Sequence, residues 1–149
     1  MTMIVVSACL LGLKCRWDGQ VCPPEKQLMN LTNLIAVCPE QLGGLPTPRE
    51  PAQIIDGNGF DVLNNRARVV NASGLDVTSE FIEGAKEVLR ISRLHNVHRV
   101  ILKERSPSCA VHHLYLGKNL FAGMGVTSAL LTLEGFAVLS SEEIDKLHA

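Results

Sequence analysis

The chain has 149 residues, enough for one domain with a buried core, and its 14 basic and 15 acidic side chains leave a formal net charge of −1. Apolar residues make up 46% and charged residues 19%, a globular composition rather than a disordered one. That balance excludes the basic stripe usual in a nucleic-acid binder, no apolar run approaches the ~18 residues of a membrane-spanning helix, and no basic region precedes an apolar stretch at the N-terminus as in a signal peptide. The expectation is a single cytoplasmic domain over residues 1–149 with no membrane contact; self-association is left open.

The elements follow in chain order. "MIVVSA" predicts a buried strand over about Met3–Ser7, because a short apolar run rich in β-branched residues suits a strand covered on both faces. "PPEKQLMNLTN" predicts a short helix with Pro23 or Pro24 near its start. "LIAVC" predicts a second buried strand, about Leu34–Val37, and "GGLPTPREP" an irregular loop. "AQIIDGNGFDVLNNRARVVN" has turn pairs at Asp56-Gly57 and Asn64-Asn65 and reads as a hairpin-like excursion covering one side of a site.

"TSEFIEGAKEVLRISRLHN" is the clearest helix, with Thr78 as N-cap, Glu80 in the first turn, and Phe81, Ile82, Ala85, Val88, Leu89 and Ser92 on one face. Gly84 weakens this helix but permits close packing. "HRVILK" predicts a strand over Arg99–Leu102, and a helix from about Val126 to Glu134 follows, behind Gly125 and stopped by Gly135. "FAVL" is the last strand, and "SSEEIDKLHA" opens with a capping box, Ser140 to Glu143, and closes the chain as a helix. Strands alternating with helices imply crossover connections, hence an α/β domain of three layers with a largely parallel sheet.

The five cysteines are Cys9, Cys15, Cys22, Cys38 and Cys109, and an odd count in a reducing compartment argues against a disulfide framework. Three apolar strands each deliver a cysteine at or just past the carboxyl end: Cys9 after the first, Cys38 after the second, and Cys109 after "RVILK" and the "ERSPS" loop. In an open α/β sheet those ends lie along the edge where ligands bind, so thiols far apart in sequence converge. Converging thiolates suit a soft metal centre. Zinc usually asks for four ligands with a C-x₂₋₄-C pair, which is missing here, and iron–sulfur clusters are also held by thiolates; spacing alone leaves both open. Cys22 reads as an ordinary buried thiol.

Polar residues accompany these thiols. Glu40, two residues after Cys38, suits a general acid or base, although a helix cap after Pro39 is the plainer reading. Glu104, Arg105, Ser106 and Ser108 precede Cys109; a serine there can pass a proton or simply shape the turn before Pro107. His112 and His113 read as a surface pair. In "AGMGVTSALL", Gly123, Gly125 and Thr127 sit where a helix N-terminus can take an anion or a ring oxygen, with a tight helix–strand turn as the plainer explanation.

The strings "SACLLGLKCRWDG", "VCPEQLGGLPTPREPAQI", "ARVVNASGLDVTSEFIEGA", "ILKERSPSC" and "GMGVTSALL" occur in the order seen in the 2-thiouracil desulfidases, a bacterial family formerly described only as a domain of unknown function, and nearly the whole chain resembles it. The resemblance implies a compact α/β domain holding a 4Fe–4S cluster by three cysteines, with a fourth iron open to the sulfur of a thiolated pyrimidine. By motif the ligands would be Cys9, Cys38 and Cys109, the acid/base residue Glu40 and the assisting hydroxyl Ser106. Ser108, Arg49, Gly125 and Thr127 are the expected substrate contacts. Cys15 lies in the pattern without an assigned role.

The implied reaction takes thiolated uracil or its nucleotide to the oxo-pyrimidine and hydrosulfide; a whole thiolated RNA is not expected as a partner. The alternative is a non-catalytic metal-binding or sulfur-carrying module, with zinc on Cys9, Cys15, Cys38 and Cys109. After "SPSC" the chain departs from the family pattern. "AVHHLYLGKNLFAG" is shorter and carries Ala110 and two histidines; it is expected to line the substrate pocket.

Overall fold

A strand covered on both faces must send alternate side chains into different layers, and β1 (Ile4–Ser7) does so in the computed structural model. The structure describes residues 2–148, with side chains for residues 2–145; Met1, Ala149 and the side chains of Lys146, Leu147 and His148 lie outside the described residues. Val5 joins a core with Val88, Val100, Leu102 and Leu131, whereas Ile4 and Val6 join Leu10, Leu28, Ile101 and Ile144 on the opposite side.

The elements after β1 are a 3₁₀ turn at Ala8–Leu11, α1 (Lys26–Met29), β2 (Leu34–Val37), α2 (Pro39–Leu42), β3 (Ala52–Ile55), α3 (Gly59–Leu63) and β4 (Arg68–Asn71). Then come α4 (Thr78–Leu94), β5 (Arg99–Leu102), β6 (His113–Leu116), β7 (Asn119–Ala122), α5 (Val126–Leu133), β8 (Ala137–Ser140) and a 3₁₀ segment at Ser141–His148. The main sheet has the order β2-β1-β5-β8 with every pair parallel. The chain winds outward from β1 in both directions, so the carboxyl end of β1 is the switch point where an open α/β sheet splits to admit a ligand. A third core cluster, with Ile54, Val69, Phe81, Ala85, Leu114 and Val126, seats the rest of the chain on α4 and α5.

The three-layer α/β expectation and the four parallel strands therefore hold. Several local features differ. The excursion is an antiparallel β3–β4 pair with α3 inserted between the strands, and the capping box that starts α3 joins Asn58 and Asp61. Thr78 is the first residue of α4 and not its cap: its hydroxyl accepts the Val69 N–H at 2.8 Å, and Asp76 Oδ1 accepts the Thr78 N–H at 2.9 Å. Helix α1 is a single turn that begins after both prolines, behind Glu25. At the C-terminus Glu143 does accept the Ser140 N–H, at 3.1 Å, but Ser140 Oγ takes the Glu142 N–H and the segment winds as a 3₁₀ helix kinked at Glu143. The β6–β7 hairpin, turned at Gly117 with φ +61°, carries no clean alternation and was not expected from the sequence.

One contact places the site. Helix α2 crosses α4 at two glycines. A Cβ on Gly84 would stand 1.9 Å from the Pro39 carbonyl oxygen, and one on Gly43 1.9 Å from that of Glu80. Gly84 costs α4 helix propensity, but no larger residue admits α2 this closely. Gly84→Ala should therefore lower unfolding stability by about 1–3 kcal/mol through overpacking, although the same change in an open helix is worth about +1 kcal/mol. Urea denaturation measures it, and a stabilised variant would show that the crossing is loose.

Candidate active site

The carboxyl ends of β1, β2 and β5 each turn immediately into a residue that faces one cavity of about 710 Å³. Cys9 sits in the 3₁₀ turn directly after β1, closed by Gly12 in the left-handed region at φ +79°. Cys38 occupies the N-cap position of α2, with Pro39 as the first helical residue. Past β5, the Lys103 N–H bonds Ser7 Oγ at 2.9 Å, and the loop to Cys109 curls so that the Ala110 N–H reaches the Ser106 carbonyl at 2.9 Å. The three strand-end cysteines thus line the same cavity, with Glu40, Arg49, Ser106 and Ser108.

Cys15 and Cys22 line it as well. Cys22 corrects the sequence reading: it is half-buried on the cavity wall, 3.4 Å from Arg16 Nη1, and not a core thiol. Cys15 is buried beside Cys9 and Cys38, and its carbonyl accepts the Cys38 thiol at 3.7 Å. Cys38 draws the Cys15 pKa down, but Cys9 and burial outweigh it and push the thiol up to about 11. Cys38 is held far above the ordinary value, first by its hydrogen bond with Cys15 and then by burial. Burial pushes Cys109 up to about 12, against opposing bonds from the Ser7 and Ser108 hydroxyls. These thiols are protonated at neutral pH, so a soft metal must displace their protons and is taken up more readily as pH rises.

Glu40 stands in the first turn of α2 and turns inward rather than capping the helix. Its Oε1 accepts Arg49 Nε at 2.9 Å and its Oε2 accepts the Ser108 hydroxyl at 2.8 Å. Ser108 Oγ lies 3.1 Å from Ser106 Oγ, which also accepts the backbone N–H groups of Ser108 and Cys109 at 3.2 Å each. Ser106 therefore shapes the turn and belongs to a continuous Glu40–Ser108–Ser106 chain of oxygens.

The expected contacts at the start of α5 are not brought to the cavity. The backbone N–H groups of Gly125, Val126, Thr127 and Ser128 are taken by the carbonyls of Ala110, Pro107, Ser108 and Ser108. Neither Gly125 nor Thr127 lines the cavity, and Thr127 is fully buried. A Cβ on Gly125 would stand 2.6 Å from the Pro107 carbonyl oxygen, so this glycine lets the helix end hold the serine loop. His112 and His113 lie outside the cavity too, with His112 Nε2 2.8 Å from Glu143 Oε1 at the surface.

Other residues emerge only in three dimensions. Glu104 is buried; burial by itself would raise its pKa, but the Ser140 hydroxyl and the N–H groups of His113, His112 and Val111 outweigh that and hold it below the ordinary value. It ties the end of β5 to the start of β6. The hairpin lines the cavity through Leu114, Tyr115, Gly117 and Lys118 and is latched to β3 by Gln53, whose amide both donates to and accepts from Gly117. Trp17, Arg16 and Lys103 also line the cavity.

Thiol donors from three strand ends fit a soft iron–sulfur or zinc centre. Among the described residues, no three cysteine, histidine, aspartate or glutamate side chains close on a point that one ion would fill. A cubane makes a different demand, since each of its cysteines takes a separate iron.

A family model described as 2-thiouracil desulfurase matches residues 4–143. An uncharacterised Bacillus subtilis (strain 168) protein, YbbK, is 45% identical over 150 residues, spanning 97% of this chain and 99% of that protein. Among solved structures, a [4Fe-4S]-dependent thiouracil desulfidase, TudS, superposes with a TM-score of 0.87 at 39% identity, covering 99% of this chain and 96% of that one.

The thiol shifts carry a sign. Buried protonated thiols contribute stability that is complete below their ordinary value of 9.0 and is lost as pH rises toward about 12, because the unfolded chain releases its thiol protons first. Metal-free protein should therefore lose stability between pH 9 and pH 11 in urea titrations, and Cys109→Ser should show a shallower loss. Equal slopes in the two proteins would place Cys109 in a hydrated setting.

Proposed function

Because the chain belongs to the 2-thiouracil desulfurase family, we propose that it removes sulfur from thiolated uracil or its nucleotide, leaving the oxo-pyrimidine and hydrosulfide, with a 4Fe–4S cluster held by Cys9, Cys38 and Cys109. The observation that carries the reading is the hydrogen-bonded Glu40–Ser108–Ser106 chain on the wall that also holds the three strand-end cysteines. Residues 1–149 are read as one domain; no helix among the described residues is long and apolar enough to cross a membrane.

When bound, the cluster supplies an open iron that acts as a Lewis acid toward the sulfur of a thiolated ring. The protein supplies proton handling. Arg49 occupies Glu40 Oε1, which leaves Oε2, on the Ser108 side, to take a proton from water. Ser108 and Ser106 then pass a proton toward the ring, and the Cys109 N–H fixes the orientation of Ser106. Water supplies the oxygen, sulfur leaves as hydrosulfide, and the overall change is hydrolytic.

The competing reading is a zinc module on Cys9, Cys15, Cys38 and Cys109; all four line the cavity, but among the described residues no three such side chains close on one point. Anaerobically reconstituted protein separates the two. The desulfidase should be brown and release sulfide from 2-thiouracil or a 4-thiouracil nucleotide; colourless protein with one tightly held zinc would establish the module instead. Glu40→Gln should keep the colour and lose about 10²–10⁴ in turnover. Cys9→Ser should lose colour and turnover together.

A further inference from the structure

The Arg49 side chain is 6% exposed, and its donors are accounted for one by one. Nε donates to Glu40 Oε1 at 2.9 Å. Nη1 donates to Thr47 Oγ1 at 3.0 Å and to the Pro46 carbonyl at 3.2 Å. Nη2 donates to the Cys15 carbonyl at 2.9 Å and approaches Cys38 Sγ at 3.9 Å. A guanidinium has five N–H donors, and five contacts occupy them. The backbone is fixed as well, since the Arg49 N–H bonds the Trp17 carbonyl at 2.7 Å. No donor is left to bind a substrate, although the side chain lines the cavity.

We propose that Arg49 is a positioning residue that joins the acid/base carboxylate Glu40 to the ligand sulfur of Cys38, and that it does not contact substrate. The inference rests on the assignment of Cys38 as a cluster ligand and Glu40 as the acid/base residue. One planar, permanently charged group spans both because its nitrogens diverge in a fixed fork. On one side it fixes which oxygen of Glu40 faces Ser108. On the other it places positive charge and an N–H beside a sulfur that must become a thiolate. Hydrogen bonds and charge at ligand sulfurs set the reduction potential of an iron–sulfur cluster. Loss of the guanidinium should therefore disfavour the reduced, more negative state.

The experiment uses anaerobically reconstituted full-length protein: wild type, Arg49→Lys, Arg49→Gln and Glu40→Gln. Turnover is followed with 2-thiouracil or a 4-thiouracil nucleotide, and the cluster by iron content, visible absorption and its midpoint potential. Arg49→Lys, with one point charge in place of the fork, should keep its iron, move the midpoint to more negative values, and lose roughly 10–100-fold in kcat with KM within about twofold. Glu40→Gln should lose turnover with the midpoint unmoved. The double variant should lose little more turnover than Glu40→Gln alone, as for residues that act as one unit.

An unchanged midpoint in Arg49→Lys would overturn the link to Cys38. A rise in KM with kcat preserved would overturn the positioning role and restore Arg49 as a substrate contact. If Arg49→Lys fails to fold, Arg49→Gln, which retains an N–H donor but no charge, is judged on the same two criteria. Wild-type protein that is colourless or inert toward these substrates defeats the desulfidase reading itself, and that result is read before any variant is made.

Discussion

The crossing of α2 over α4 is the constraint on which the candidate site depends. Helix α2 is only one turn, too short to be stable by its own hydrogen bonds. It persists because two glycines let its backbone lie against the first half of α4. That one turn begins at Cys38 and carries Glu40, so a single backbone contact fixes both a cavity thiol and the carboxylate that bonds Ser108. Pro39 reinforces the arrangement, since proline at the first helical position presets the backbone and forfeits a donor that would have had no partner.

The opposite wall is held by similar means. The first N–H groups of α5 are spent on the carbonyls of Pro107, Ser108 and Ala110, which fixes the loop bearing Ser106, Ser108 and Cys109. Gly125 is required there for the same reason as Gly84: a side chain would occupy the space of a carbonyl. The hydroxyls that face Glu40 thus stand on a turn bonded both to a helix end and to Ser106 itself. A site supported this way keeps its geometry without help from a ligand, the condition for proton transfer over fixed distances.

How much of this was legible in the sequence follows from what each feature depends on. Strands β2 and β5 fall where their apolar β-branched runs predict them, and β1 within a residue, because burial on both faces leaves a local signature. The placement of Cys9, Cys38 and Cys109 at strand ends was readable for that reason, and parallel topology does the rest. The placements of Cys22 and of the start of α5, and the partners of Arg49, were not legible because the folding of loops without a repeating pattern decides them. Whether an arginine meets a substrate or a glutamate nine residues away is decided by the fold of a loop that has no periodicity. The G-x-G turn before α5 resembles an anion site in composition, and only the loop docked on it shows that its donors are taken. The β6–β7 hairpin escaped notice because its strands are four residues each and mostly exposed, with a burial pattern that does not alternate.

The electrostatics of the cavity tie these features together. A cluster on three thiolates would bring negative charge to a place where burial already works against it and pushes the Cys38 and Cys109 thiols up. In the metal-free protein the thiols resolve the conflict by keeping their protons, so the empty fold is not destabilised by repulsion between them. Displacement of those protons by a metal would return the conflict and call for a permanent cation, because a group that could shed its charge on burial would be of no use. Arginine meets that condition where lysine and histidine do not. The buried guanidinium of Arg49 lies between Glu40 and Cys38, the two groups whose negative charge it would offset.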